Sequence, residues 1–242
     1  MGASVRSVDG TGNRLLDALR IEQRRDLVSL MREAPITPHE MLVGPGEKIH
    51  SVYFPLTGVI SLMTPLQNGV AIETATVGME GMVGIPAFLG GKALDNSQAL
   101  SQVPGRMLTM DIETFRAETD GDTNGNLLSI MMAYSQALFA QIAQAVACNA
   151  AHEIEQRTAK WLLQTHDRVE GDTFALTQEF LADMLGVTRP SVSVAARGLQ
   201  RAGLITYRRG GITVLDRAAL EEASCECYET VRRVYEQLLG NP

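Results

Sequence analysis

The stretch from Gln178 to Ala196, QEFLADMLGVTRPSVSVAA, predicts two short helices joined by a tight turn. Ala182 is small enough to lie where such helices cross, and Gly186 follows four residues later, where the turn needs a left-handed backbone. Thr188 is placed to cap the second helix, and Pro190 falls in its first turn, where a missing N–H does no harm. The apolar positions expected to face a shared core are Leu181, Leu185, Val187, Val192 and Ala195. Since an ordinary helical hairpin rarely satisfies all these positions together, we predict a helix-turn-helix.

The outward face of the second predicted helix carries short hydroxyl side chains and two arginines. Such groups suit base edges and phosphates in the major groove, so double-stranded DNA is the expected partner. The contact residues that we expect in and beside the two helices are Thr177, Gln178, Thr188, Arg189, Ser191, Ser193 and Arg197.

The segment that follows predicts a strand, a turn and a second strand. Gly203–Tyr207 and Ile212–Leu215 are the strands, and Arg208 and Arg209 lie at the turn between them. A hairpin that only closes the domain explains the strands equally well, but the paired arginines favour a wing that contacts phosphates. The residues from Asp216 to Leu239 are predicted to be helical, with an inner face of Leu220, Ala223, Val231, Val234 and Leu238.

The charge of the chain is unevenly distributed. The 242 residues carry a net charge of −7, yet the segment from Leu176 to Arg217 has six arginines against three carboxylates. That segment is therefore +3 and the rest of the chain −10. A locally basic module on an acidic body favours groove-directed DNA binding over general coating of nucleic acid.

The N-terminal half reads as an all-β region behind a short helix. Residues 1–12 are predicted to be a disordered tail without a secretory signal. An amphipathic helix is expected from Asn13 to Glu33, followed by short strand-like runs from Pro35 to Met110, separated by Gly, Pro and Asn turns. Many short strands at close spacing predict a β-roll, here given the bounds 13–121.

A long helix is predicted from Asn126 to His152, a stretch without a charged residue, proline or glycine. Residues at alternating steps of three and four form a coiled-coil seam, namely Leu128, Met131, Ser135, Leu138, Ile142, Ala145 and Asn149. A second apolar stripe comprises Met132, Phe139 and Val146. A helix apolar on two sides is buried on two sides, so we expect a homodimer through helix 126–152. Its scattered glutamines argue against a membrane span, and we expect a cytoplasmic protein.

The three cysteines predict a reducing compartment and no disulfide framework. Cys225 and Cys227 form a C-x-C pair, for which no His or Cys partner lies at a suitable spacing in the sequence. Because structural zinc needs about four ligands, we predict no metal site and expect packed or exposed thiols.

The segments GVTRPSVSVAARGLQRAGLI and VYFPLTGVISL resemble those of the cyclic AMP receptor protein/Fnr superfamily of bacterial transcription regulators. The resemblance extends from about Asn13 to Leu215. It implies an α+β fold with an N-terminal β-roll like that of cyclic-nucleotide-binding domains, a dimerisation helix within residues 122–152, and a C-terminal winged helix-turn-helix within residues 153–242. It also implies a non-enzymatic homodimer that reads a palindromic site, with RNA polymerase a possible further partner. Arg189 matches the recognition arginine of the family, whereas Pro190 and Val194 depart from its pattern.

The cofactor sites of the superfamily are not matched by this sequence. Cyclic nucleotide binding in its type members needs a Gly-Glu pair and an Arg-Ser pair, but Gly84 is followed by Ile85, and Asn96-Ser97 replaces Arg-Ser. Without the arginine, a buried phosphate lacks a charge partner, so we do not expect control by cyclic AMP. An Fnr-type iron–sulfur site needs several N-terminal cysteines, and the first cysteine is Cys148. Haem sensing through His39, His50, His152 or Cys148 stays open, although isolated residues of these types are usually structural or exposed. No cofactor is identified, and the effector is unknown.

The main alternative is a cupin-like jelly-roll metalloenzyme with a protein-interaction winged helix. Such an enzyme needs two or three histidines and a carboxylate around a metal. His39 and His50 are the only histidines in the predicted roll, and no H-x-H pair occurs. A winged helix that binds protein rather than DNA is a third possibility, against which the arginines of the second helix argue.

Overall fold

The computed structural model of the chain describes residues 10–90, 97–123, 125–208 and 210–240. The predicted α+β class is confirmed, with an antiparallel sheet first, then a long helix, then a helical unit that carries a small sheet. The helices are α1 Arg14–Asp17, α2 Ile21–Ser29, α3 Ile85–Phe88, α4 Ile112–Asp120, α5 Asn126–Ala151, α6 Ile154–His166, α7 Gln178–Leu185, α8 Arg189–Arg201, α9 Arg217–Ala223 and α10 Cys227–Leu239. The strands are β1 Arg32–Ile36, β2 Met41–Val43, β3 Ser51–Pro65, β4 Ala71–Val77, β5 Gln98–Asp111, β6 Thr173–Ala175, β7 Ile205–Arg208 and β8 Gly211–Val214.

The N-terminal segment forms two short helices instead of the single helix predicted from Asn13 to Glu33. The chain leaves the helical conformation after Asp17, and strand β1 already begins at Arg32. Asn13 caps α1 by accepting a hydrogen bond from the Leu16 backbone N–H at 3.1 Å. Its buried amide also donates to the carbonyls of Pro55 and Gly81, at 2.8 and 2.9 Å. One polar side chain therefore fixes α1 to the sheet. The tail predicted for residues 1–12 lies mostly outside the described residues.

The N-terminal sheet is antiparallel, with the order β1-β5-β3-β4 and with β2 paired to β5. The 15-residue strand β3 pairs with β5 along most of its length and with β4 at its end. Its register with β5 shifts between Thr57 and Val59, around Gly58. Gly58 has a φ of +87°, and a Cβ there would lie 2.6 Å from the Val103 carbonyl oxygen, so only glycine fits this bulge.

Helix α5 has one buried side and one exposed side. The buried side packs on the sheet and on α10 with Leu127, Met131, Tyr134, Ala137, Leu138, Gln141 and Cys148. The exposed apolar side chains are Leu128, Met132, Phe139 and Val146. The predicted coiled-coil seam is wrong at Met131 and Leu138, because these side chains face the sheet. The second predicted stripe, which contains Met132 and Phe139, is the exposed one. Among the described helices, α5 is long and apolar enough to cross a membrane by length and composition alone, but one of its sides packs in the core of the N-terminal unit.

The core of the C-terminal unit is built around Trp161, Leu162, Leu181, Val192 and Ile212, and it continues into the N-terminal sheet. The three-stranded sheet β6-β8-β7 lies beside α8, and its strands β7 and β8 confirm the strand–turn–strand prediction. The single helix predicted from Asp216 to Leu239 is wrong, because the chain breaks between α9 and α10. Helix α10 packs along α5, where the hydroxyl of Tyr235 donates to Gln141 Oε1 at 2.7 Å.

The two units are joined by a buried ion pair. Arg168, in the loop after α6, donates from Nη2 to Glu80 Oε1 at 2.7 Å and from Nε to Glu80 Oε2 at 3.1 Å. A third bond goes to the Thr76 hydroxyl at 2.8 Å, and the Arg168 carbonyl accepts from the Gly58 N–H at 2.7 Å. Burial alone would raise the pKa of Glu80, but the charge and hydrogen bonds of Arg168 outweigh it and lower that pKa.

Candidate nucleic-acid interface

The helix-turn-helix forms at the predicted residues. Thr177 caps α7 by accepting from the Phe180 N–H at 3.1 Å, and Gly186 ends the helix with a φ of +64°. Ala182 is buried at the contact between α7 and α8. Arg157 of α6 donates to the last α7 carbonyl, that of Leu185, at 2.5 Å. The turn is thereby held by a C-terminal left-handed residue and by a side chain from the supporting helix.

Helix α8 presents a polar, arginine-bearing face to the outside. Its inner positions Val192 and Ala195 are buried, as the sequence pattern predicts, and so are Ala196 and Leu199. Arg189 and Arg197 are exposed, and within the described residues neither takes part in an ion pair. The two guanidinium groups are therefore available to a partner, and their contact with DNA stays a prediction.

The hydroxyl and amide groups predicted as DNA contacts are engaged within the motif itself. Ser193 Oγ donates to Gln178 Oε1 at 2.6 Å and lies 3.0 Å from the Arg189 carbonyl oxygen. Thr188 is the N-cap residue of α8, but its hydroxyl pairs with the Ser191 hydroxyl at 2.9 Å rather than with the backbone. These bonds link α7 to α8 and order the first turn of α8, so the serines are positioned before any partner arrives.

Val194 is a surface residue of α8 that was not among the predicted DNA-contact residues. Its side chain is 57% exposed, between Arg189 and Arg197 along the helix. An apolar side chain on the outward face of a recognition helix suits the C5-methyl group of thymine. The outward position of Val194 could be read from the sequence, because the inward positions of the helix were already assigned to other residues.

The wing lies beside these helices. Arg208 ends β7 and is exposed, whereas Arg209 lies outside the described residues. The hydroxyl of Tyr207 donates to the Leu176 carbonyl at 3.0 Å and so ties β7 to the segment before α7. Burial raises the pKa of Tyr207, whereas a backbone hydrogen bond at Gln178 and the positive charge of Arg189 act in the opposite direction.

An open cavity of about 320 Å³ lies between the N-terminal sheet, the segment around α3 and helix α5. Gly84 precedes α3 with a φ of +117°, and Ile85 is buried in the core. Ser97 lies at the cavity, while Asn96 lies outside the described residues. No charged side chain occurs among the described residues that line this cavity, and Leu138 and Ile142 of α5 form part of its wall.

The histidines do not assemble as a cupin site requires. His39 packs edge-on against Phe180 at 5.2 Å between ring centroids, and His50 is exposed. The one group of metal-ligand type found among the described residues lies outside the roll, at Cys148, His152, Cys225 and Cys227. The expectation that the C-x-C pair lacks partners is therefore wrong, because a gap of more than seventy residues in sequence is closed by the packing of α10 on α5.

Comparison with known proteins agrees with this geometry. Residues 156–223 match the family model of the Crp-like helix-turn-helix domain. Among solved structures, a regulator assigned to the Crp/Fnr family from Eubacterium rectale superposes with a TM-score of 0.64 at 15% identity, over 93% of this chain and 100% of that one. FixK2 from Bradyrhizobium japonicum superposes with a TM-score of 0.61 at 16% identity, over 81% of this chain and 98% of that one. A Crp-family regulator from Thermus thermophilus superposes with a TM-score of 0.62 at 21% identity, over 79% of this chain and 96% of that one. A search of curated protein sequences finds no match.

Proposed function

From the Crp-like helix-turn-helix domain carried in a Crp/Fnr fold, we propose that this protein is a transcription regulator that binds DNA as a homodimer and reads a palindromic site with α8. The observation that carries the proposal is the exposed face of α8, where Arg189, Val194 and Arg197 project from a helix whose opposite side is buried. Arg189 suits a guanine, Val194 a thymine methyl, and Arg197 a phosphate or a second base.

Dimerisation is supported by the uncovered side of α5. Phe139 and Val146 are 74% and 68% exposed, and with Met132 they repeat every seven residues. Such a heptad stripe matches a two-stranded coiled coil, in which it would lie against its symmetry mate. A two-fold axis along α5 would present two α8 helices to half-sites about 34–36 Å apart.

Control by a cyclic nucleotide finds no support in the cavity of the N-terminal sheet. A phosphate buried there needs a cationic partner, and the described lining is apolar or uncharged. We propose that the regulator acts without cyclic AMP, either through an uncharged effector or through its own abundance.

The direct test is selection of a binding site from random DNA, followed by fluorescence anisotropy of the selected site and of scrambled DNA across a salt series. Arg189→Ala is expected to lose about 1–3 kcal/mol of discrimination between the two. Arg208→Ala is expected to weaken binding to both DNAs. It should also reduce the slope of log affinity against log salt concentration by about 0.9 per protomer. Arg25→Ala, an exposed arginine of α2, is the control and should change neither quantity.

Two outcomes would contradict the proposal. If selection enriches no sequence from random DNA, with and without a panel of small uncharged ligands, α8 is not a recognition helix. If a site is enriched and Arg189→Ala leaves both its sequence and its affinity unchanged, the assignment of the reader is wrong.

A further inference from the structure

The four side chains Cys148, His152, Cys225 and Cys227 converge at one point where three helices meet. Their sulfur and nitrogen atoms all lie within 4.8 Å of one another. Cys148 Sγ is 3.6 Å from Cys225 Sγ, and Cys227 Sγ is 3.5 Å from His152 Nδ1. The three cysteines are free thiols, each at most 2% exposed, and together they form a cluster separate from the hydrophobic cores.

Local structure aims these four groups at one another. Cys148 and His152 are four residues apart, so they share a face at the end of α5. His152 ends that helix in an extended conformation, with its N–H still bonded to the Cys148 carbonyl at 3.1 Å. The opposite pair comes from the break between α9 and α10. There the Tyr228 N–H donates to the Cys225 carbonyl at 3.2 Å, and Cys227 is the first residue of α10.

We propose that these residues form a structural zinc site of the Cys₃His type. Zinc–sulfur bonds of about 2.3 Å in a tetrahedron place sulfur atoms about 3.8 Å apart, close to the Cys148–Cys225 separation. Three thiolates and one imidazole nitrogen are the donors that zinc prefers, whereas magnesium and calcium require oxygen. Four protein ligands leave no open position, which is characteristic of a structural rather than a catalytic site.

The surroundings of the ligands match those of a metal-bound histidine. His152 turns Nδ1 to Cys227, and its other nitrogen, Nε2, lies 3.1 Å from Glu226 Oε2. A carboxylate on the far nitrogen fixes the tautomer that leaves Nδ1 free to bind a metal. Gln144 Nε2 donates to Cys227 Sγ at 3.0 Å, the kind of N–H···S bond that stabilises a thiolate. Glu226 and Gln144 therefore hold two of the four proposed ligands in place by hydrogen bonds.

The position of the site gives the metal a structural role. It lies where α5 ends and α6 begins, and it ties that break to the first turn of α10. Bound zinc would therefore fix α10 on α5 and stabilise the connection between the N-terminal and C-terminal units. This role does not depend on DNA binding, so its failure and the failure of the proposed function are distinguishable.

The test begins with the metal content of the full-length protein, purified under reducing conditions and freed of any affinity tag. We expect about one zinc per chain by mass spectrometry, and none in His152→Ala or Cys227→Ala. His50→Gln alters an exposed histidine outside the site and should keep its zinc. Glu226→Gln leaves all four ligands in place and should weaken zinc binding 10- to 100-fold in a chelator competition.

A second measurement guards against variants that fail to fold. Wild-type protein stripped of metal is titrated with Co²⁺, and one equivalent should produce the visible and sulfur charge-transfer bands of a tetrahedral thiolate site. Thermal unfolding should shift to higher temperature on adding zinc to the stripped protein. Protein that purifies without metal and binds neither ion would overturn the proposal and leave three packed thiols. Purified protein that contains iron, with the absorption of an iron–sulfur cluster, would equally overturn it.

Discussion

Val194 is the one large apolar side chain that is exposed among the described residues of α8, with 57% of it in water. We expect Val194→Ser to weaken binding to the selected site by about 1 kcal/mol, roughly the transfer free energy of one buried methyl group. Binding to scrambled DNA should not change, because a thymine contact carries sequence information and a phosphate contact does not.

Replacing the contacted thymine by uracil supplies the matched control for Val194→Ser. Uracil lacks only the C5-methyl group, so the DNA change should cost the wild-type protein about as much as the protein change costs on thymine. The two changes together should cost little more than either alone. Additive losses in the anisotropy titrations would show that Val194 does not contact a thymine methyl.

At the scale of single elements, the helix-turn-helix could be predicted because its determinants are local. Ala182, Gly186 and the inward positions of α8 lie within twenty residues of one another, and each residue type permits few alternatives. For α5 the sequence contained both apolar stripes, but periodicity does not tell which one the sheet covers. That choice is made by distant contacts, such as the hydroxyl of Tyr134 donating to the Met82 carbonyl at 2.8 Å.

The cysteine cluster could not be predicted for the same reason. Cys148 and Cys225 are brought together only because the break between α9 and α10 lets α10 run back along α5. Ligand spacing in sequence reports only on sites whose ligands are close along the chain. The helix predicted without interruption from Asp216 to Leu239 concealed the turn that creates the second pair of ligands.

Helix α5 also carries a prediction about assembly. We expect Phe139→Lys to convert the proposed dimer into a monomer, because it places a charge at the centre of the exposed heptad stripe, opposite its own copy. Light scattering coupled to size exclusion measures the mass directly. Gln67→Lys adds the same charge at an exposed position in the turn between β3 and β4, outside α5, and should remain dimeric. A wild-type monomer at micromolar concentration would contradict the proposed dimer, and a dimeric Phe139→Lys protein would place its interface elsewhere.

At the scale of the whole molecule, the two units share both apolar surface and the buried pair of Arg168 with Glu80. We expect Arg168→Met to lower the free energy of unfolding by about 3–5 kcal/mol, because it leaves the Glu80 carboxylate buried without its cation. The double change Arg168→Met with Glu80→Gln should recover part of that loss. Urea denaturation at one fixed protein concentration measures all three proteins, and Arg25→Ala provides the control.

The same ion pair makes the junction between the units sensitive to acid. Since Arg168 lowers the pKa of Glu80 below the ordinary value of 4.5, the stabilisation is fully present above pH 4.5. It is lost as the pH falls through the lowered pKa of the folded protein. Glu73 acts in the opposite sense, because burial raises its pKa, so the native state gains stability from protonating it. A single pH profile of the wild-type protein therefore mixes two opposed contributions.

A difference profile separates these two contributions, because Glu73 is common to both proteins. We expect the wild-type protein to exceed the Arg168→Met, Glu80→Gln protein in unfolding free energy by an amount that is constant from pH 7 to pH 5. That difference should shrink steadily below pH 4.5, where protonation of Glu80 removes the ion pair from the wild-type protein alone. Urea unfolding at half-unit steps of pH gives both curves. Parallel curves down to the acid transition would mean that Glu80 carries no charge when the two units are docked.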